Sequence, residues 1–106
     1  MHDLKWSNSE KKLARTVFDA ALMRELATML CEFKTRAAKA TTPQEMWEIQ
    51  DYLVEQRSDV DSKYDFRYSQ LIIVFGRLLR ENLIGESELQ GLSPDKLSYI
   101  RQIATL

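Results

Sequence analysis

Glycine and proline are scarce in this chain: three and two, respectively, in 106 residues. No proline occurs before Pro43 and no glycine before Gly76, so few turns can be written and a few long helices are expected. A single cysteine, Cys31, excludes a disulfide framework within the chain. It sits inside the helical run Met29-Leu30-Cys31, where a buried, inert thiol is expected. The single histidine, His2, lies near the start, so neither a Ser–His nor a Cys–His pairing can be assembled. No glycine-rich loop is present to cradle a phosphate. The formal net charge of −1 argues against an electrostatic binder of nucleic acid or lipid. No apolar run approaches the roughly twenty residues of a membrane span, and no signal-peptide pattern opens the chain, so a cytoplasmic location without membrane insertion is the expectation.

What is present is a balanced, folded composition, 44% hydrophobic and 29% charged. The length fits one helical domain over residues 1–106. Residues before Trp6 carry no element. Ser7 followed by Glu10 offers a capping box, and the helix it starts runs to about Lys39. Its main apolar stripe comprises Ala14, Phe18, Leu22, Leu26, Met29, Leu30, Phe33 and Ala37. Leu13, Val17, Ala20, Ala21, Met23, Ala27 and Cys31 widen that stripe beyond one contact face, so this helix must meet more than one neighbour. One neighbour is the second helix, reached through Ala40-Thr41-Thr42; the other is expected from a second subunit.

The second helix starts at Thr42, with Pro43 in its first turn and Glu45 placed to reach back to the cap. Met46, Ile49, Leu53, Val60 and Tyr64 share one stripe, and Arg57 lies in it where an apolar residue would be expected. Trp47, Gln50, Asp51 and Val54 form an adjacent face. Ser58-Asp59-Val60-Asp61-Ser62 is a weak helix former, so the chain either bends there or continues. Beyond it Tyr64, Tyr68, Leu71, Ile72, Phe75, Leu78, Leu79 and Leu83 keep helical spacing, up to a stop at Gly85. A continuous helix from Pro43 to about Asn82 would span roughly 60 Å. At most a turn of helix follows over Glu86 to Gln90, ended by Gly91, and Ser93-Pro94 caps a last amphipathic helix. The architecture read from this pattern is all-α: a long antiparallel helical stalk (about 7–62) with a small C-terminal helical head (about 63–106), paired as a homodimer.

No chemistry-bearing constellation survives inspection. Asp59-x-Asp61 fails as a calcium loop, because Tyr64 stands where glycine is required and Gln70 where a bidentate Glu is required. Asp51, Glu55 and Asp59 recur every four residues, but without a histidine they read as a solvated face. No catalytic residue, metal or cofactor is expected. Asp51 and Arg57, six residues apart on one helix, are separated by about 120° and 9 Å and cannot pair comfortably within it. Arg57 either snorkels to water or meets a carboxylate across an interface.

Trp6-Ser7, Arg24-Glu25, Trp47-x-x-x-Asp51-x-Leu53, Arg57, Val60-Asp61-x-Lys63-Tyr64-Asp65-x-Arg67 and Val74-Phe75-x-x-Leu78 with Glu81 resemble the fluorescence recovery protein family, in register over nearly the whole chain. The resemblance implies an all-helical homodimer without a cofactor. It implies binding to the photoactivated orange carotenoid protein, with its C-terminal domain as the contact, acceleration of its return to the resting form, and detachment from the phycobilisome at the thylakoid surface. It places the partner-binding and dimer surface at Trp47, Gln50, Asp51 and Arg57, the dimer stalk at Leu26, Leu30, Phe33 and Leu53, and a head surface at Ile73 and Tyr99. The sequence departs from the family pattern at Gln50, Ser62, Ile73 and Tyr99 and over Val54-Glu55-Gln56, which leaves a second reading: a dimeric helical interaction protein of this fold acting on another partner, in a cell without that photoprotection system.

Overall fold

The computed structural model of the chain describes residues 4–106, so His2 lies outside it. Helix α1, Asn8–Lys39, opens with the expected reciprocal cap: the Glu10 amide donates to Ser7 Oγ at 3.2 Å, and the Ser7 amide donates to the Glu10 carboxylate at 3.0 Å. Helix α2, Pro43–Lys63, starts at Thr42, whose Oγ1 accepts from the Glu45 amide at 3.2 Å. Its return bond is displaced by one residue, because the Glu45 carboxylate accepts from Thr41 rather than from Thr42. The two helices form the antiparallel stalk.

Helix α2 runs through Ser58–Ser62, where Ser62 Oγ folds back onto the Asp59 carbonyl at 3.0 Å, and ends at Lys63. The helical pattern beyond it does not continue, since residues 64–70 form a bend instead. The cause lies in the aromatics. Tyr64 and Phe66 both stack edge-on against Phe18, with centroids 5.4 and 5.0 Å away, and Tyr68 meets Phe66 and Trp6 at 5.7 Å. Rings two residues apart reach one neighbour only from extended backbone. The guanidinium of Arg15 covers the Phe66 ring at 3.8 Å, and the Lys11 ammonium sits over Tyr68 at 5.3 Å.

Helix α3, Leu71–Arg80, stops earlier than Gly85: Glu81 caps it and Asn82 turns the chain at φ 61°, a conformation asparagine tolerates. A 3₁₀ turn, Glu86–Leu89, and Gly91 at φ 116° lead to helix α4, Pro94–Ala104, capped by Ser93. The core joins Ala14, Val17, Phe18 and Ala21 of α1 to Leu71, Ile72, Val74, Phe75 and Leu78 of α3, with Ile84, Leu89, Leu92 and Ile100. Leu4 packs against this core from before α1. Thus α1 meets two neighbours within one chain: its first half builds the head and its second half the stalk. The result is a body of 53 × 24 × 22 Å with a radius of gyration of 16.7 Å, against about 13 Å for a compact domain of this size.

Candidate functional surfaces of stalk and head

Only Val60 among the apolar residues of α2 is buried, so much of the stalk's apolar surface remains open. Leu26 and Leu30 of α1 and Met46, Trp47 and Val54 of α2 are exposed, Trp47 by 54%. Phe33 and Leu53 are half-buried between the helices. An open groove of about 460 Å³ runs along the stalk, lined by Leu22, Leu26 and Met29 on one side and Leu53, Arg57, Val60 and Asp61 on the other. The chain exposes 7042 Å², roughly several hundred Å² more than a compact monomer of this mass would.

Arg57 lies on the rim of this groove. Its side chain is 85% exposed, and its partner is Asp61 one turn on, with Nε and Oδ2 3.9 Å apart. The arginine therefore does not occupy an apolar seam of the single chain, because the face turned to α1 is rotated toward Tyr52, Gln56, Val60 and Lys63. Asp51 and Gln50 are exposed on the same helix as Trp47, and Asp51 does not meet Arg57 within the chain. Cys31, expected to be buried, is exposed: the far half of α1 has only α2 beside it, and its outer side faces water. On the head, Ile73 of α3 is 46% exposed and Tyr99 of α4 is half-buried against the core.

The buried cation of the stalk is Lys63. Its side chain is 1% exposed, and Nζ donates to Glu25 of α1 at 2.7 Å and to Glu81, just past α3, at 2.8 Å. Asp59 stands 3.8 Å away, Tyr64 donates its hydroxyl to Glu25 at 2.9 Å, and Arg77 bridges Asp59 and Glu81 at 3.1 and 2.7 Å. Burial alone would lower the Lys63 pKa, but the hydrogen bonds and charges of Glu25 and Glu81 outweigh it and hold the ammonium above its usual value. Burial likewise acts to raise Glu81, and the bonds from Lys63 and Arg77 bring it below the usual range. Burial and the bond to Glu25 push the Tyr64 phenol up, so it remains a donor. A second set of ties uses Arg24, which donates to the Leu83 carbonyl at 2.9 Å and to Glu88 at 2.7 Å. The sequence pattern does not mark Lys63 as buried; its place three residues after Val60 is the one signal that it faces inward.

Among the described residues no group of histidine, cysteine, aspartate and glutamate is arranged to hold a metal, and no helix is long and apolar enough to cross a membrane. Fold and surfaces define a small all-α stalk-and-head protein with open apolar faces on the stalk. The family described as photoprotection regulator fluorescence recovery protein matches residues 6–104, and the chain belongs to it. It is 38% identical over 101 residues to the fluorescence recovery protein of Synechocystis sp. (strain ATCC 27184 / PCC 6803 / Kazusa), covering 95% of this chain and 93% of that protein. The solved fluorescence recovery protein of Synechocystis sp. PCC 6803 superposes with a TM-score of 0.93 at 37% identity, and that of Fremyella diplosiphon with 0.92 at 29%. Each covers 96% of this chain and all of the matched chain.

Proposed function

We propose that this protein is a non-enzymatic regulator that works as a homodimer. It binds the photoactivated orange carotenoid protein through that protein's C-terminal domain, accelerates its return to the resting form and detaches it from the phycobilisome. Cytoplasmic placement, reaching the thylakoid surface only through the partner's antenna complex, goes with that role. The observation that carries the reading is the exposed Trp47, large, apolar and with one donor, beside an open apolar groove in a chain of this family. Leu26, Leu30, Phe33 and Leu53 form the self-association face, where a stable pair would bury on the order of 1,000 Å² or more. Trp47, Gln50, Asp51 and Arg57 share work between the dimer and the partner, and Ile73 and Tyr99 give the head's contact. A binder speeds a conversion only through differential affinity, so it must engage the photoactivated form and hold the compacting form on the path back more tightly still.

The test mixes the protein with illuminated orange carotenoid protein and times the colour reversion. Faster reversion, reduced by Trp47→Ala, is expected; an unchanged rate with no co-elution overturns the reading. The replacements at Gln50, Ile73 and Tyr99 favour in that event a second one, a dimeric helical interaction protein with a different partner.

A further inference from the structure

We infer that Lys63 is a positioning residue, an electrostatic latch that fixes the angle of α2 against α1 and the head. Apolar packing does not set that angle from the α2 side, since Val60 is the one buried apolar residue α2 contributes. Packing of apolar groups is also non-directional, so one valine leaves the helix free to pivot. Helix α1 runs through both stalk and head, but α2 is joined to the head only by the non-helical segment 64–70, which is bound to α1. What joins the end of α2 to the other elements is a set of directional, charge-assisted bonds converging on one ammonium. Glu25 brings α1, Asp59 lies on α2 itself, and Glu81 brings the end of α3. Arg77 closes the ring by holding Asp59 and Glu81 together. The latch thus lies between the stalk face carrying Trp47 and the head face carrying Ile73.

Replacing Lys63 with an uncharged residue leaves Glu25 and Glu81 facing each other across the vacated position, repelling as like charges, each with one remaining donor, Tyr64 and Arg77. The head core, built from α1, α3 and α4, contains no atom of Lys63 and should persist. The consequence for regulation, that both faces meet one partner in a fixed arrangement, rests on the function proposed above; the latch itself does not.

With the chain's one cysteine removed as Cys31→Ser, Glu55→Cys on α2 and Ser98→Cys on α4, both at exposed positions, allow a spin-label pair spanning α2 and the head. Distances are read by double electron–electron resonance, with labelled chains diluted into unlabelled protein so that pairs within one chain dominate. In the otherwise native chain a single narrow distribution is expected, and Lys63→Met should broaden and shift it while circular dichroism retains the helix content. A Lys63→Met distribution indistinguishable from the native one overturns the proposal. If Lys63→Met loses its helices, Glu81→Gln, which keeps the side-chain shape and leaves Lys63 its Glu25 partner, is read the same way: a broader distribution supports the latch and an unchanged one sinks it. The measurement uses this protein alone, so its failure is distinct from a failure to act on the carotenoid protein.

Discussion

The Lys96 ammonium and the Glu10 carboxylate, 86 residues apart in sequence, lie 3.1 and 3.2 Å apart in the head, both nearly buried. The same ammonium donates to the Lys5 carbonyl at 2.6 Å and lies 5.0 Å from the Trp6 ring, while Glu10 also accepts from the amides of Ser7 and Ser93. One carboxylate thus caps α1 and clasps the start of α4. Trp6 lies beside it with its indole Nε1 buried and unpaired among the described residues. Glu10→Gln removes the counter-charge of a buried ammonium that keeps its bond to the Lys5 carbonyl, and urea unfolding should show a loss of about 1–3 kcal/mol. The double change Glu10→Gln with Lys96→Met should lose less than the sum of the two singles. Simple additivity would show that the pair contributes nothing as a pair.

Gly76 lies where α3 crosses α4, and a methyl group there would overlap Ile103 Cγ2 and Cβ. Gly76→Ala is expected to cost about 1–3 kcal/mol by overpacking, despite the higher helix propensity of alanine. Ile103→Ala, which removes Cγ2, should cost less in the Gly76→Ala background than in the native chain. A melting temperature unchanged in the single variant would mean that the helices slide apart without cost.

The carboxyls of Glu10, Glu81 and Glu88 are all held below the usual glutamate value of 4.5, and each ties the head to another element. For Glu88 the bond from Arg24 is the main cause; for Glu10 and Glu81 hydrogen bonds and charges outweigh an opposing burial effect. With folded values depressed, the unfolded chain takes up protons first as pH falls. Their contribution is therefore complete above about pH 5 and is lost as the pH drops through the folded values. Melting curves from pH 7 down to 3 should be flat and then fall, and Glu81→Gln should flatten the fall. A fall of the same size in that variant would place the titration elsewhere.

Arg57 and Asp51 share one helix yet do not meet within the chain, and both are exposed. We propose that in the dimer Arg57 of one protomer pairs with Asp51 of its partner and helps fix the register. Arg57→Leu and Asp51→Leu should each raise the dimer dissociation constant, by roughly tenfold for each 1.4 kcal/mol lost, and the double variant should lose less than the sum. Sedimentation at micromolar concentration reads the effect, and dissociation unchanged by either single substitution would falsify the pairing.

Local signals in the sequence were enough for the helix starts: Ser7 with Glu10, Thr42 before Pro43, and Ser93 before Pro94 each cap where expected. The path between α2 and α3 was not legible from helical spacing, since Tyr64, Tyr68 and Leu71 fit it and no glycine or proline interrupts it. The competing signal was the alternation of Tyr64, Phe66 and Tyr68 with Asp65 and Arg67, a period of two that becomes decisive only when Phe18 is there to receive the rings. The charges divided similarly. Arg57 drew attention by its place in an apolar stripe and is exposed, whereas Lys63 is buried where Glu25 and Glu81, from distant parts of the chain, converge on it beside Asp59 of its own helix. Periodicity on one helix carries no information about such convergence. Trp47 and Ile73 are exposed, while Phe33 and Leu53 are partly enclosed by the stalk itself.

Helix α1 serves stalk and head at once, and the head core draws Ala14 to Ala21 from it and Leu71 to Ile100 from the far end of the chain. These contacts close loops of about fifty residues and longer, whereas the α1–α2 hairpin forms across a turn of three. Emerging from the ribosome, the hairpin can zip early while its head-forming half waits, apolar and uncovered, for nearly the whole chain to arrive. Closure of the head is then the slow, late step of folding. During that interval Val17, Phe18 and Ala21 are the surface that a holding chaperone, or a second nascent chain, would find first.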